Sequence, residues 1–205
     1  MTAKKGLLPW LGAFVALDMA ILGALLVPFW QDLRMDPQNM TSMLGSLLVP
    51  PAVLLLTTLF SADLKASLAF WRPRHALPGH RAFSKYLEGD SRINQAALRD
   101  RLGAFPTEPD AQNTLWYHLY RQHRDDPAVL DGNKRFLLFR DLATLSFLLA
   151  LGTPALLKIM GLPMAMAPAA AIFAIQYVLA CVCAQQSGIR FVRTVLAIES
   201  STERS

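Results

Sequence analysis

The chain has 205 residues, 53% of them hydrophobic and only 17% charged, with 20 Lys and Arg against 15 Asp and Glu and a formal net charge of +5. A mean hydropathy of +0.31 argues against both an ordinary soluble domain and a disordered chain, which are more polar. The positive charge points to the inward-facing loops of a membrane protein, where Lys and Arg collect, and nucleic acid is not expected as a partner.

The apolar residues fall in four segments, and the charged ones concentrate between Asp63 and Asp141. A bilayer core about 30 Å thick takes roughly 20 helical residues, and the strongest segments lack the polar stripe of a soluble amphipathic helix. The predicted fold class is an all-α integral membrane protein with about four transmembrane helices in two hairpins and a helical cytoplasmic insert. Residues 1–72 form the first hairpin, with spans at about 7–30 and 43–65. Residues 73–140 form the insert, and residues 141–205 hold the second hairpin, with spans at about 142–160 and 164–185, and a cytoplasmic tail.

In the first span Trp10 and Trp30 stand about 30 Å apart along a helix, which suits one indole at each interface. The segment is too long for the apolar core of a signal peptide and ends without a cleavage pattern, so it is read as retained. Asp18 lies near its midpoint, where an ionised carboxylate costs on the order of several kcal/mol. It is read either as a proton or ion site or as a polar contact that fixes packing. Gln176, at matching depth in the fourth span, is its candidate partner. Gly12, Ala16, Ala20 and Ala24 recur every four residues along one side, and Ala167, Ala170, Ala171 and Ala174 make a similar surface on the fourth span. Small residues let helices approach closely, so a homo-oligomer is expected.

Pro50 and Pro51 should kink the second span, which is expected to continue past Asp63 and Lys65 to the headgroups. Trp71, Arg72 and Arg74 read as lipid-interface residues there. The insert is predicted to hold four helices. The first runs from His80 to Glu88 and ends at Gly89; the second opens at Asp90 or Ser91 and ends at Gly103. A third starts with Thr107 and Asp110 as a capping box, and a fourth starts at Asp126 before Pro127, with an interruption at Gly132 and Asn133. That helix leads into the third span, and a turn at Gly161 to Pro163 leads into the fourth. Cys181 and Cys183 read as packing residues. Gly188 to Glu199 places Ile189, Val192, Leu196 and Glu199 at helical spacing, and is expected to lie along the membrane surface.

Lys4, Lys5, the basic residues of the insert, Arg190, Arg193 and Arg204 contrast with a first connection carrying Arg34 against Asp32 and Asp36. By the positive-inside bias the protein is a multi-pass protein of the bacterial plasma (inner) membrane with both termini and the insert cytoplasmic.

Trp116, Tyr120, Arg121 and Arg124 mix aromatic and basic side chains on one helix, as a nucleotide site would, but Trp116 and Tyr120 are read first as part of the small core of the insert, with the arginines solvated or near lipid headgroups. The four histidines form two pairs, His75 with His80 and His118 with His123, at spacings used by zinc ligands. Residues five apart on a helix diverge by about 140°, so neither a metal nor a cofactor is expected. No phosphate-binding loop, serine elbow or zinc-protease motif is present, and no catalytic residue is assigned. The leading functional expectation is a non-enzymatic membrane sensor or effector, oligomeric, whose insert receives a ligand or protein partner and biases the spans, with a pore as one output. The alternatives are a small membrane enzyme acting on lipid-like substrates at the cytoplasmic interface and a proton-coupled transporter subunit.

Overall fold

A computed structural model describes residues 6–32, 45 and 47–202; the side chains of 28–32 are outside the description. The Trp30 and Asp32 side chains, with Lys4, Lys5, Arg34, Asp36 and Arg204 of the sequence argument, therefore lie outside the description. Among the described residues every regular element is a helix: α1 (Leu8–Asp32), α2 (Val49–Thr57), α3 (Ala62–Phe70), α4 (Gln95–Leu102), α5 (Pro109–Gln122), α6 (Pro127–Ile159) and α7 (Met166–Ser201), with short 3-10 turns at Pro78–Arg81 and Pro163–Ala165. Among the described residues three helical stretches are long and apolar enough to cross a membrane, Leu8–Val27, Pro127–Ile159 and Pro163–Ser201. The pair α2 and α3 passes the same test together but is bent by 114°.

The long antiparallel hairpin of α6 and α7 is the backbone of the fold. Asp126 caps α6, its carboxylate accepting from the amides of Ala128 (2.7 Å) and Val129 (3.4 Å), with Pro127 preset for the first helical position. The predicted interruption at Gly132 is absent. A Cβ there would come within 3.3 Å of Phe191, so this glycine lets α7 approach rather than breaking α6. The far end closes by a left-handed Gly161 (φ 74), with the Leu162 amide bonded back to Leu157 C=O at 2.9 Å, and Pro163 follows.

The predicted second span differs most. Pro50 and Pro51 sit in the first turn of α2, where a missing amide proton costs nothing, and the break falls instead between Thr57 and Ala62. The Thr57 and Thr58 hydroxyls donate to the carbonyls of Leu54 and Leu55 at 2.7 and 2.6 Å, and Ser61 caps α3 by accepting from the Leu64 amide. Hydroxyls that capture local backbone groups favour a sharp bend at this point over continued helix. α3 ends at Trp71, whose left-handed backbone (φ 53) does the work of the usual glycine.

Residues 77–89 form no α-helix, contrary to the pattern from His80 to Glu88. Gln112 of α5, itself 1% exposed, accepts the amides of Phe83 (3.1 Å) and Ser84 (3.0 Å) on Oε1 and donates to Thr107 C=O (2.9 Å), so these amides are satisfied outside a helix. Asn94, not Asp90 or Ser91, caps α4, and Glu108 with Pro109 opens α5 without the expected capping box. Gly103 ends α4 as predicted, with φ 75.

The core is layered along the hairpin. At the far end Leu26, Leu157, Ala165 and Ala169 pack together. In the middle Val15, Leu22, Val53, Leu145, Leu149 and Phe173 join α1, α2, α6 and α7. The largest cluster combines insert residues such as Phe83, Leu98, Trp116 and Leu119 with Phe70 of α3, Phe136 of α6, and Phe191, Val192 and Leu196 of α7. The insert thus shares its core with the hairpin.

Candidate functional site

Two polar constructions interrupt the apolar packing, one in the middle layer and one where the insert grips the hairpin. In the first, Asp18 repeats the spacing of Val15 and Leu22 on α1 and so faces the bundle, fully buried. Gln176 of α7, one turn after Phe173, donates from Nε2 to Asp18 Oδ1 at 2.8 Å, while Oδ2 has no hydrogen-bond partner. The two residues singled out for equal depth are thus in contact, 158 positions apart in sequence. No Lys, Arg or His among the described residues bonds to this carboxylate.

The second construction is built on the last turns of α7. Glu199, nearly fully buried, takes Arg101 Nη2 of α4 on Oε1 (2.8 Å) and His123 Nε2 at the end of α5 on Oε2 (2.6 Å). Arg101 Nη1 also donates to the carbonyls of Glu199 and Thr202, both at 2.7 Å. Arg193 reaches the carbonyls of Tyr86 (3.1 Å) and Glu88 (2.9 Å), and Ser200 Oγ accepts the Asn94 amide at 3.2 Å. Asp90 anchors the intervening turn; its hydrogen bonds from Arg92 hold its carboxyl down to about 2. The stretch Gly188 to Glu199, expected along a membrane surface, is instead the continuation of α7 with its apolar face, Val192, Leu196 and Glu199, buried by the insert. Amphipathic spacing marks a buried stripe without saying what buries it.

At the level between these two, Lys65 of α3 bonds Asp141 Oδ1 at 3.2 Å, and Arg140 Nη2 bonds the same oxygen at 3.0 Å. Two buried cations sharing one largely buried acid leave a net positive cluster at the start of the apolar stretch of α6. α7 also completes α3, since Tyr177 Oη and Gln185 Nε2 donate to Leu68 and Ala69 carbonyls that the helix end leaves free. Trp71 is exposed and donates Nε1 to Tyr177 Oη at 3.2 Å; Arg74 is exposed, and Arg72 is half-buried with Nη1 unpartnered.

The aromatic and basic group of α5 divides. Trp116 and Tyr120 stack on each other (5.7 Å between centroids) and meet Phe191 edge-on, inside the shared core, where burial raises the Tyr120 hydroxyl above its usual range. Arg121 and Arg124 point outward. Gly12, Ala16, Ala20 and Ala24 are exposed, as are Ala167, Ala171 and Ala174, so these small surfaces do not pack within the chain. Cys181 is buried and Cys183 exposed. Sequence reasoning missed Glu199, Arg101 and His123 as a connected set, and Gln112 as the residue that holds the backbone at Phe83 and Ser84. Only a mid-helix acid at an otherwise apolar helical spacing, Glu199, carried a signal.

Fold and site together define an all-helical protein with three helices long and apolar enough to cross a membrane, two of which extend into a polar-bonded helical insert. No family model, curated protein or solved structure matches the chain.

Proposed function

We propose that the chain is an integral protein of the bacterial inner membrane that acts as a non-enzymatic sensor or effector: the cytoplasmic insert receives a ligand or protein partner, and its movement biases the bundle. The observation that carries this reading is the continuity of α6 and α7. At 1.5 Å per residue they are about 50 and 54 Å long, against a bilayer core of about 30 Å, so each reaches about 20 Å beyond the apolar slab into the insert. A continuous helix packed at both ends transmits tilt or rotation from one to the other, and Pro154 of α6 lies within two turns of its far end, away from the insert.

Four crossings fit the bent pair better than three. Gly45 stands beside the Met160 side chain at the far end, Val53 packs in the middle layer, and Lys65 pairs with Asp141. From Met160 to Asp141 along α6 is about 28 Å, the thickness of a bilayer core, so the chain from Gly45 to Lys65 travels the full depth despite its break. The buried, net positive cluster of Lys65, Arg140 and Asp141 then marks the cytoplasmic end of the slab, and an even number of crossings puts both termini on that side. The outward small-residue stripe of α1 supports assembly of like subunits.

The test measures distances between spin labels at the outward-facing positions Leu17 and Leu151 in proteoliposomes, with Glu199→Ala releasing the clamp on the insert. With Trp10, Trp30 and Trp71 replaced by Phe, Trp116 emission reports that the clamp has opened. A shifted or broadened distribution is expected; an unchanged one alongside altered Trp116 emission refutes the coupling. The unpartnered Asp18 Oδ2 favours a second reading, a proton-coupled transport subunit in which this carboxyl carries the proton.

A further inference from the structure

The connection from α3 to α4 carries His75 and His80, and the helical geometry that would hold them apart does not exist. His75 takes a left-handed backbone (φ 48) after Pro73 and Arg74, and Pro78–Arg81 is a 3-10 turn, so the chain folds back and brings the two rings within 5.2 Å, edge to face. Asp110, in the first turn of α5, completes the group: its Oδ1 is 3.0 Å from His75 Nδ1 and 3.3 Å from His80 Nε2. We infer that His75, His80 and Asp110 form a binding site for a divalent transition-metal ion of the zinc class.

The argument rests first on ligand spacing. Zinc holds nitrogen and carboxylate oxygen at about 2.0–2.2 Å, which places adjacent ligand atoms of a tetrahedral shell about 3.3 Å apart. The two separations from Asp110 Oδ1 are of that size, and the three donor atoms all lie within 4.8 Å of one another. No other His, Cys, Asp or Glu grouping among the described residues does this.

The second argument is hydrogen-bond parity at His80. Its Nδ1 lies 3.1 Å from Leu77 C=O, an oxygen that can only accept, so Nδ1 carries the proton. A neutral ring then turns the Nε2 lone pair toward a carboxylate oxygen, and two lone pairs at 3.3 Å repel unless a positive charge lies between them. A metal ion supplies that charge. The Leu77 carbonyl then plays the orienting part that metal-binding histidines normally find in a backbone or carboxylate acceptor.

The third argument is access. The group opens into a cleft of about 290 Å³ whose remaining walls include Asp63 and Ser67 of α3 and Arg74. Asp63 brings a second carboxylate to the cleft against the charge of Arg74, and water or an exogenous ligand has room at the open coordination position. A bound ion ties the connection to the start of α5. It therefore steadies the part of the insert nearest α3.

Full-length protein in detergent is stripped with chelator, titrated with cobalt(II) and then with zinc. One cobalt per chain is expected, with the visible bands of a four- or five-coordinate site, displaced by one equivalent of zinc. His80→Gln and Asp110→Asn should each weaken binding by about tenfold or more, whereas His118→Gln, at an exposed position on α5, should leave it unchanged. Helicity measured for each variant confirms folding. If a variant fails to fold, the wild-type cobalt spectrum and stoichiometry decide alone. A spectrum that stays that of the hexaaquo ion, with no zinc retained on gel filtration, overturns the site and leaves a proton as the charge between His80 and Asp110. Full binding by folded His80→Gln overturns it equally.

Discussion

Asp18 shows how much one side chain at the wrong polarity constrains a helix. Among the described residues its carboxylate bonds to Gln176 alone, so α1, otherwise held there by apolar contacts, is pinned to α7 in one rotation. Asp18→Leu leaves the Gln176 amide without its acceptor and is expected to destabilise the α1 contact by about 1 kcal/mol, whereas Asp18→Asn keeps an acceptor at the same place and should change stability by only about a few tenths. The midpoint of unfolding by SDS in mixed micelles measures both. Proton-dependent flux in proteoliposomes abolished by Asp18→Asn at normal stability would select the transport reading over the packing one.

At the scale of an element, α7 is the piece on which the others are assembled. Its Gly188 meets the aromatic rings of α3 and α6: a Cβ there would lie 3.0 Å from Phe70 Cζ and 3.2 and 3.3 Å from the Phe136 ring. Neither ring has room to retreat, being in the largest core cluster, so Gly188→Val should destabilise by about 1–3 kcal/mol through overpacking. Gly152→Val on α6, where nothing lies within 4 Å, should stay within about 0.5 kcal/mol. Equal effects of the two in the same SDS titration would show that helix propensity, not the crossing, governs the outcome. The same crossing explains why the α7 extension is buried by the insert rather than laid along a membrane surface. An amphipathic stripe after an apolar segment fits a membrane surface or a protein core equally, and the choice belongs to Phe136, Trp116 and Leu98, which are remote in sequence.

For the whole molecule the decisive question is which side each connection faces. With Cys181 and Cys183 replaced by alanine, single cysteines at Asn39 and Ser91 should react with an impermeant maleimide from opposite sides, Asn39 from outside intact cells and Ser91 only after lysis. Both reacting from outside would refute the four-crossing topology while leaving the α6–α7 hairpin intact.

The amino-acid order by itself determined where apolar helices lie, because bilayer-length hydrophobic runs and local caps such as Asp126 with Pro127, Gly103 and Gly161 act within a few residues. It also placed Asp18 and Gln176 at one depth, since rise per residue is constant along a helix. Tertiary structure alone decided the break after Thr57, the non-helical path of 77–89 held by Gln112, the burial of Glu199 between Arg101 and His123, and the convergence of His75 and His80 on Asp110. Each of these depends on a hydrogen-bonding partner supplied by another part of the chain or on a backbone turn, and neither has a periodicity from which it can be read.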